Sequence, residues 1–342
     1  MKKPIEVIKT YPTDKDFHLF TEVAKTLYPP DSIRHKESEH INLAILHSCY
    51  VVLVAGKPSG RAALYMQDKL SYGVHNPWMI GNYECVDENE AAKSLLEKVC
   101  WDVRQQGGTY LIGPMNGSTW DNYRFSVSHR EPPFLLEPYH YLYYNEQFMI
   151  NGFEVIKRYN SNKDDQLMCD GSTLLAKERE FSQQGVTIRG IDINRIDEEL
   201  NNLHAFIGHA FQHNFLYTPI DLDRFISKYR AALPMINPEY VLLAENRNGE
   251  VVGFIFSYDD AYAQGDKKLI IKTLARHEDK AYAGLGHVLV NRVTRLAKGT
   301  GYQSIIHAFI INEGDATTVS RNFRSETYKE YVLYGMSIDP RA

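Results

Sequence analysis

The sequence predicts an α/β (α+β) fold built from two tandem units, each a mixed, mostly antiparallel sheet flanked by helices. Three observations lead there. One order of elements occurs twice along the chain, the 342 residues suit two domains of ordinary size, and 44% hydrophobic with 24% charged residues is the balance of a folded globular protein.

In the first half, Tyr50 to Ala55 reads as an apolar strand, Gly56-Lys57-Pro58-Ser59-Gly60 as a turn and Arg61 to Met66 as the return strand. The second half repeats this hairpin with Tyr240 to Ala244, a turn over Glu245 to Gly249, and Val251 to Tyr258. A third strand follows each hairpin, Trp78 to Glu84 and Lys268 to Arg276. Helical spacing then puts Ala92, Leu95, Leu96, Val99 and Val103 on one face, and in the second copy Leu285, Val288, Leu289, Val293 and Leu296. Glycines end both helices, at Gly107-Gly108 and at Gly299 with Gly301. Strands over Thr109 to Ile112 and Gln303 to Ile310 come next, and each half closes on a tyrosine-rich segment.

Two more helical patterns precede the second hairpin. Ile196, Leu200, Leu203, Ile207 and Phe211 form one face, with Asp192 or Asn194 as N-cap, and Leu222, Phe225, Ile226 and Tyr229 form the other. A polar, weakly periodic segment separates the copies. The expected domains are therefore 1–165 and 186–342, joined by a linker over 166–185.

Composition excludes several classes of function. With 38 Lys+Arg against 43 Asp+Glu, the net charge of −5 supplies no overall basic field, so no nucleic-acid partner is expected. The most apolar stretch, Ile41 to Ala55, is broken by His47 and Ser48 and is too short to cross about 30 Å of hydrocarbon, so no integral membrane segment is expected. No apolar run follows the basic start at Lys2 and Lys3, which predicts a cytoplasmic protein. Cys49, Cys85, Cys100 and Cys169 lie far apart and suit reduced thiols better than disulfides or a zinc site. His209 and His213 have the i, i+4 spacing of a zinc helix, but Ala210 stands where a metalloprotease has Glu and no third ligand is evident. They read as structural, and no metal is expected.

The chemistry-bearing stretch runs from Leu274 to His287, a strand passing through Tyr282-Ala283-Gly284-Leu285-Gly286-His287 into a helix. Glycines at a helix start admit ligand atoms to the backbone, and free N–H groups with the helix dipole attract phosphate. A dinucleotide fingerprint would need a third glycine at Leu289, and a Walker loop would need Gly-Lys-Ser/Thr. Neither is present.

At this loop the sequence resembles the GNAT acyltransferase superfamily, whose pattern is Arg/Gln-x-x-Gly-x-Gly/Ala. Ala281 stands at the Arg/Gln position, with Lys280 or Arg276 as substitutes. The resemblance implies a coenzyme A pyrophosphate on the amides from Tyr282 to His287, and a pantetheine arm along Leu274, Ala275 and Arg276. The co-substrate would be acetyl-CoA or another acyl-CoA. Ile112-Gly113-Pro114-Met115-Asn116-Gly117-Ser118-Thr119, with Pro132-Pro133, Tyr143-Tyr144-Asn145 and Asn151-Gly152-Phe153, resembles a group of bacterial double-GNAT proteins to which a bacterial ceramide synthase is related. In the first copy the loop position holds Asp87, Glu88 and Glu90 and no glycine, which would repel pyrophosphate. That copy is expected to be degenerate and to shape the acceptor pocket or the domain interface.

The family's usual tyrosine acid falls on Ser320 here, leaving Tyr328, Tyr331, Tyr334 or water, and Tyr217, Asn312 and Tyr331 are taken as the catalytic candidates. Asn312 either hydrogen-bonds the pantetheine arm, as the resemblance implies, or makes its own turn. Tyr217, with Phe215 and Leu216, either lines the acceptor pocket or anchors two helices. Asn116 and Trp120 either line a pocket or form a turn with a packed indole, and Tyr139 to Tyr144 is either a substrate wall or core packing. The expected function is direct acyl transfer from acyl-CoA to a small-molecule or lipid amine, most simply N-acetylation. Long-chain transfer to a sphingoid amine and a non-catalytic binding role are the alternatives.

Overall fold

The computed structural model describes residues 3–36, 40–169, 171–311, 320, 323 and 325–339. The first half supplies β1 (Ile5–Thr10), α1 (Phe17–Leu27), β2 (Leu46–Val54), β3 (Lys57–Tyr65), β4 (Trp78–Cys85), α2 (Asn89–Gln105), β5 (Tyr110–Gly113), β6 (Phe125–Ser126), α3 (Tyr143–Ile150) and β7 (Glu154–Asp164). The second supplies α4 (Thr173–Gln183), β8 (Thr187–Gly190), α5 (Ile196–Ala210), α6 (Leu222–Ala232), β9 (Val241–Glu245), β10 (Val251–Asp259), β11 (Lys268–Arg276), α7 (Leu285–Gly299), β12 (Ser304–Ile311) and β13 (Glu326–Ser337).

All thirteen strands join one sheet in the order β1-β2-β3-β4-β5-β13-β7-β12-β11-β10-β9-β8, with β6 paired to β13. The order reads the same from both edges, so the repeat seen in the sequence becomes a pseudo-two-fold between β13 and β7. Only β4–β5 and β11–β12 run parallel, each joined by the helix that follows its third strand. At the centre the last strands are exchanged. The chain's final strand β13 lies beside β5 of the first half, from Tyr334↔Gly113 to Ser337↔Tyr110. Reciprocally, β7 lies beside β12 of the second half.

The exchange is visible in the cores. Tyr331 and Leu333 of β13 pack with Phe20 and Val23 of α1, while Val332 and Tyr334 pack with Leu95 and Val99 of α2. The second half's terminal strand thus fills both faces of the first half's sheet, by the two-residue alternation of a strand. In the Tyr139 to Tyr144 run Tyr141 stacks on Tyr28 at 4.8 Å and Tyr144 is fully buried, while Tyr139 and His140 line a small cavity with Tyr123 and Arg124.

Three local readings change. Residues 166–185, expected as a linker, hold α4, whose Phe181 is buried and whose Glu178 pairs with Arg292 at 3.0 Å and Arg295 at 2.7 Å on α7. Leu174 and Phe181 lie two helical turns apart on one face, a spacing hidden among charged neighbours. The first hairpin turns on Ala55 and Gly56 alone, both at positive φ, so Lys57 to Gly60 belong to β3. Pro58 fits there because β4 joins β3 only from Gly60↔Cys85 onward. At α5 the cap residue is Arg195, because the Asp192 carboxylate accepts the Asn194 N–H of the preceding 3-10 turn instead.

A buried polar network pins the exchanged strand. Lys329 on β13 donates to Glu137 at 2.7 Å, both almost fully enclosed, and Tyr331 donates to the same carboxylate at 2.9 Å. Burial pushes the Glu137 carboxyl up, and Lys329 and then Tyr331 pull it back. Lys329→Met would strand that carboxylate, and a loss of about 3–5 kcal/mol in urea unfolding is expected. A loss under about 1 kcal/mol would contradict the assignment.

Two buried histidines set an acid limit. His140, whose Nε2 accepts the Ser126 N–H at 2.7 Å, is lowered to about 3 and His307 to about 4, both chiefly by burial. The folded state therefore refuses protons that the unfolded chain accepts. Stability is full above the ordinary histidine range and falls below about pH 6, by about 1.4 kcal/mol per pH unit for each ring. Denaturant titrations from pH 7 to 4.5 test this; a flat profile would refute it.

Candidate active site

Two strands part in the second half. The β11–β12 ladder ends at Ile271↔His307, and beyond it β11 keeps only its partner β10 while β12 keeps β7. Each strand has a bulge at that point: Lys272 is the extra residue on β11, and Ala308 with Phe309 on β12, where Phe309 has φ +59°. The opened edge of β11 from Thr273 to Arg276 is the kind of backbone to which an extended amide-bearing ligand adds as a strand.

The glycine loop lies at the end of that edge. Gly284 caps α7 at φ +90° with no side-chain cap, and the first i to i−4 bond is Val288 N–H to Gly284 C=O at 3.2 Å. Leu285 and Gly286 amides therefore have no intrahelical acceptor. A Cβ at Gly284 would meet only Lys177 Cε at 3.8 Å, and one at Gly286 only Leu274 at 3.6 Å, so no backbone crowds either glycine, while Leu285 and Gly286 themselves are buried. The helix is nonetheless seated tightly on the sheet, since a Cβ at Gly253 would come within 2.8 Å of Leu285.

The upstream part of the expected loop is engaged in its own turn. Asp279 accepts the Ala281 N–H through its carboxylate at 2.9 Å and the Tyr282 N–H through its carbonyl, and Lys280 C=O accepts the Ala283 N–H. This shifts the open amides from Tyr282 and Ala283 toward Gly284, Leu285 and Gly286. Ala281 leaves the loop without its guanidinium or amide, and the cation beside it comes from an unexpected place. Lys177, on the helix in the supposed linker, leans over Gly284. A cavity of about 420 Å³ lies between them, lined by Thr173, Leu174, Ala176, Lys177, Glu180, Gly284 and His287. Arg276 turns its guanidinium onto the His277 and Glu278 carbonyls instead.

On the other side the first half reaches across. Trp120 donates to the Thr218 carbonyl at 2.9 Å and packs edge-on against Tyr217 and Phe225, while Asp121 pairs with Arg224 at 2.7 Å. Tyr217 is thus half-buried at the junction of the halves. Asn116 stays in the first half, where its side chain accepts the Asn82 N–H.

The first copy also parts, after Met79↔Ile112, but its own chain closes the gap. Met115 N–H bonds Ile80 C=O, and a Cβ at Gly81 would lie 2.5 Å from the Met115 carbonyl. The loop position there runs straight into α2, capped at Glu88, which pairs with Lys3.

The tyrosine candidates are all engaged. Tyr331 is buried on Glu137, with burial and Glu137 holding its hydroxyl well above the usual range; Tyr334 donates to Asn145 and Tyr328 to the Pro132 carbonyl. Ser320, at the family's tyrosine position, is buried against Asn162 and Ser325. For Tyr331 and Tyr334 the strand exchange explains this, because it carries their side chains into the first half's cores. Asn312 lies outside the described residues. His209 and His213 do not share a helical face, since α5 ends at Ala210, and no metal-binding cluster occurs among the described residues.

Solved structures share this fold. A GCN5-related N-acetyltransferase from Sphaerobacter thermophilus matches 98% of this chain and 96% of its own, at 12% identity and TM-score 0.56. The tandem GNAT protein from the clavulanic acid biosynthesis pathway matches 98% and 99%, at 11% identity and TM-score 0.55. The chain has the tandem GNAT fold. A probable N-acyltransferase from Enterococcus faecalis V583 shares the GNAT-like architecture over 98% of this chain and 73% of its own, at 11% identity and TM-score 0.56. No family model and no curated protein matches the sequence. Within the GNAT fold, the parted strands and glycine-capped helix of the second half form the open cleft, and the first half's counterpart is plugged. No described helix is long and apolar enough to cross a membrane.

Gly284 has open space around it but a left-handed backbone, so Gly284→Ala isolates the conformational term. A loss of about 1–2 kcal/mol in urea unfolding is expected, and an unchanged midpoint would refute the geometry.

Proposed function

We propose that the chain is a coenzyme-A-dependent acyltransferase that passes an acyl group, in the simplest case acetyl, directly to an amine. The observation that carries this reading is the meeting of an unpaired strand edge with a glycine-capped helix start in one half only. Backbone amides at Gly284, Leu285 and Gly286 would hold the pyrophosphate with the α7 dipole behind them, and Lys177, paired with Glu180 at 3.0 Å, would turn from that carboxylate to supply the charge that Ala281 lacks. The Thr273 to Arg276 edge would hold the pantetheine amides, leaving the acyl carbon near Lys272 and Phe309.

Acyl-CoA supplies an activated thioester carbonyl. In the transfer the amine nitrogen forms the new C–N bond, the C–S bond breaks, the amine gives up a proton and the thiolate takes one. Direct transfer fits the thiols. Cys49 and Cys85 are buried, and burial pushes the Cys85 and Cys100 thiols up to about 12 and raises Cys169, so none is set up as a nucleophile. With the described tyrosines near β13 engaged, proton exit by water is the simplest route.

Calorimetry with acetyl-CoA tests the assignment. One site per chain is expected, because the first cleft is plugged. Gly284→Asp or Gly286→Asp should abolish binding, and Lys177→Ala should weaken it about five- to tenfold, near 1–1.4 kcal/mol. No binding at millimolar ligand, or full binding by both Asp variants, would overturn the reading.

A further inference from the structure

The acceptor side of the cleft carries cations that the transfer chemistry above does not use. Arg124 comes from the first half and reaches the second half's opening. Its guanidinium carbon lies 3.7 Å from the Tyr123 ring centre, 4.3 Å from Tyr159 and 4.6 Å from Phe309, the bulge residue of β12. The residue is only 7% exposed. Its Nε donates to the Tyr123 carbonyl at 3.1 Å, its Nη1 is buried without a hydrogen-bond partner, and no described carboxylate pairs with it. Its backbone is left-handed, at φ +76°, which is unfavourable for a residue with a Cβ.

Lys272 faces the same ring from the other strand, with its ammonium 6.0 Å from the Phe309 centre. It sits on the β11 bulge, immediately before the opened edge, and makes no ion pair or hydrogen bond to a described residue. Enclosure by the cleft walls, then Lys228 and Arg124, hold it below the ordinary lysine range, and no described carboxylate offsets them there. Lys228 and Arg224 on α6 share the one carboxylate of Asp121, at 3.7 and 2.7 Å. Among the described residues the group therefore sets four basic side chains against one carboxylate.

As packing alone this arrangement is unfavourable. A buried guanidinium with an open donor, held on a strained backbone and within Coulombic reach of the second basic group, loses hydration and gains repulsion. An anion between Arg124 and Lys272 would relieve each of these, and the planar guanidinium fits a carboxylate or phosphate. We propose that Arg124 and Lys272 form an anion-binding site for a carboxylate or phosphate group carried by the amine acceptor. The naming of the anion as part of an acceptor rests on the acyltransferase reading; the anion site itself does not.

Inorganic phosphate and, separately, acetate are titrated calorimetrically into the full chain, with and without prebound coenzyme A. One saturable site is expected, weakened at least tenfold by Arg124→Gln and several-fold by Lys272→Gln, and still present with coenzyme A bound. The tighter of the two ions identifies the group. Lys272 is solvent-exposed, so Lys272→Gln decides the matter if Arg124→Gln does not fold. Absence of a saturable site, or binding that coenzyme A displaces and neither substitution alters, overturns the proposal and leaves the acyltransferase reading standing. Anion binding that depends on Arg124 in a chain that ignores acetyl-CoA overturns the acyltransferase reading and leaves the site.

Discussion

The pairing of β7 with β13 at the centre of the sheet is the constraint on which the rest depends. It runs from Glu326↔Lys163 to Gly335↔Glu154 and makes one sheet from two copies. Its register is fixed because a slip by one residue would move Tyr331 and Leu333 to the α2 face and Val332 and Tyr334 to the α1 face. The Lys329–Glu137–Tyr331 network adds a polar lock, since its ionised partners are satisfied only in this register. Ser161 on β7 ties the lock to the cleft: it donates to the Tyr331 hydroxyl at 3.2 Å and accepts the Phe309 N–H at 3.1 Å. The left-handed residue at the rim of the opening is thus held from the centre of the sheet.

That centre also explains why the copies differ. Both third strands part from their parallel neighbours after a few pairs, so the opening is a property of the shared plan. In the first half the chain after β5 turns back through Pro114, Met115 and Asn116 and occupies the gap. The same segment then continues through Trp120, Asp121 and Arg124 into the second half. One loop therefore closes one cleft and furnishes a wall of the other, which gives the first copy a physical role without requiring it to bind a cofactor.

Much of this was legible in the sequence. The hairpin, third strand and amphipathic helix repeat with period-two and period-3.6 patterns that burial on each sheet face imposes, and β11 begins and ends at Lys268 and Arg276 as expected. The glycine loop was legible because φ +90° at Gly284 is a demand that sequence expresses directly. The exchange was not, because β7 and β13 are equivalent strands and either would complete either sheet by local pattern alone. Neither α4 nor Lys177 stood out, since one buried Phe181 among charges gives little periodicity. Arg124 was invisible for a related reason: its significance lies in rings contributed by Tyr159 and Phe309, residues far away in the chain.

The tyrosines show how topology decides chemistry. Twenty-three tyrosines make an acid on the last strand look plausible from composition. Once β13 is placed at the centre, its side chains alternate into two cores, and a phenol enclosed there and bonded to a carboxylate loses proton only with great difficulty, as at Tyr331. In the proposed transfer, proton traffic would fall to groups that stay in contact with solvent. Lys272 is such a group, exposed and held below the ordinary lysine range by enclosure and by its cationic neighbours, so it sheds a proton more readily than a surface lysine. An anion bound beside Arg124 would reverse part of that effect by restoring the ammonium's partner. Occupancy of the acidic-group site and the protonation of the cleft are therefore coupled through the same two residues, and an acceptor lacking that group would meet a cleft of different charge.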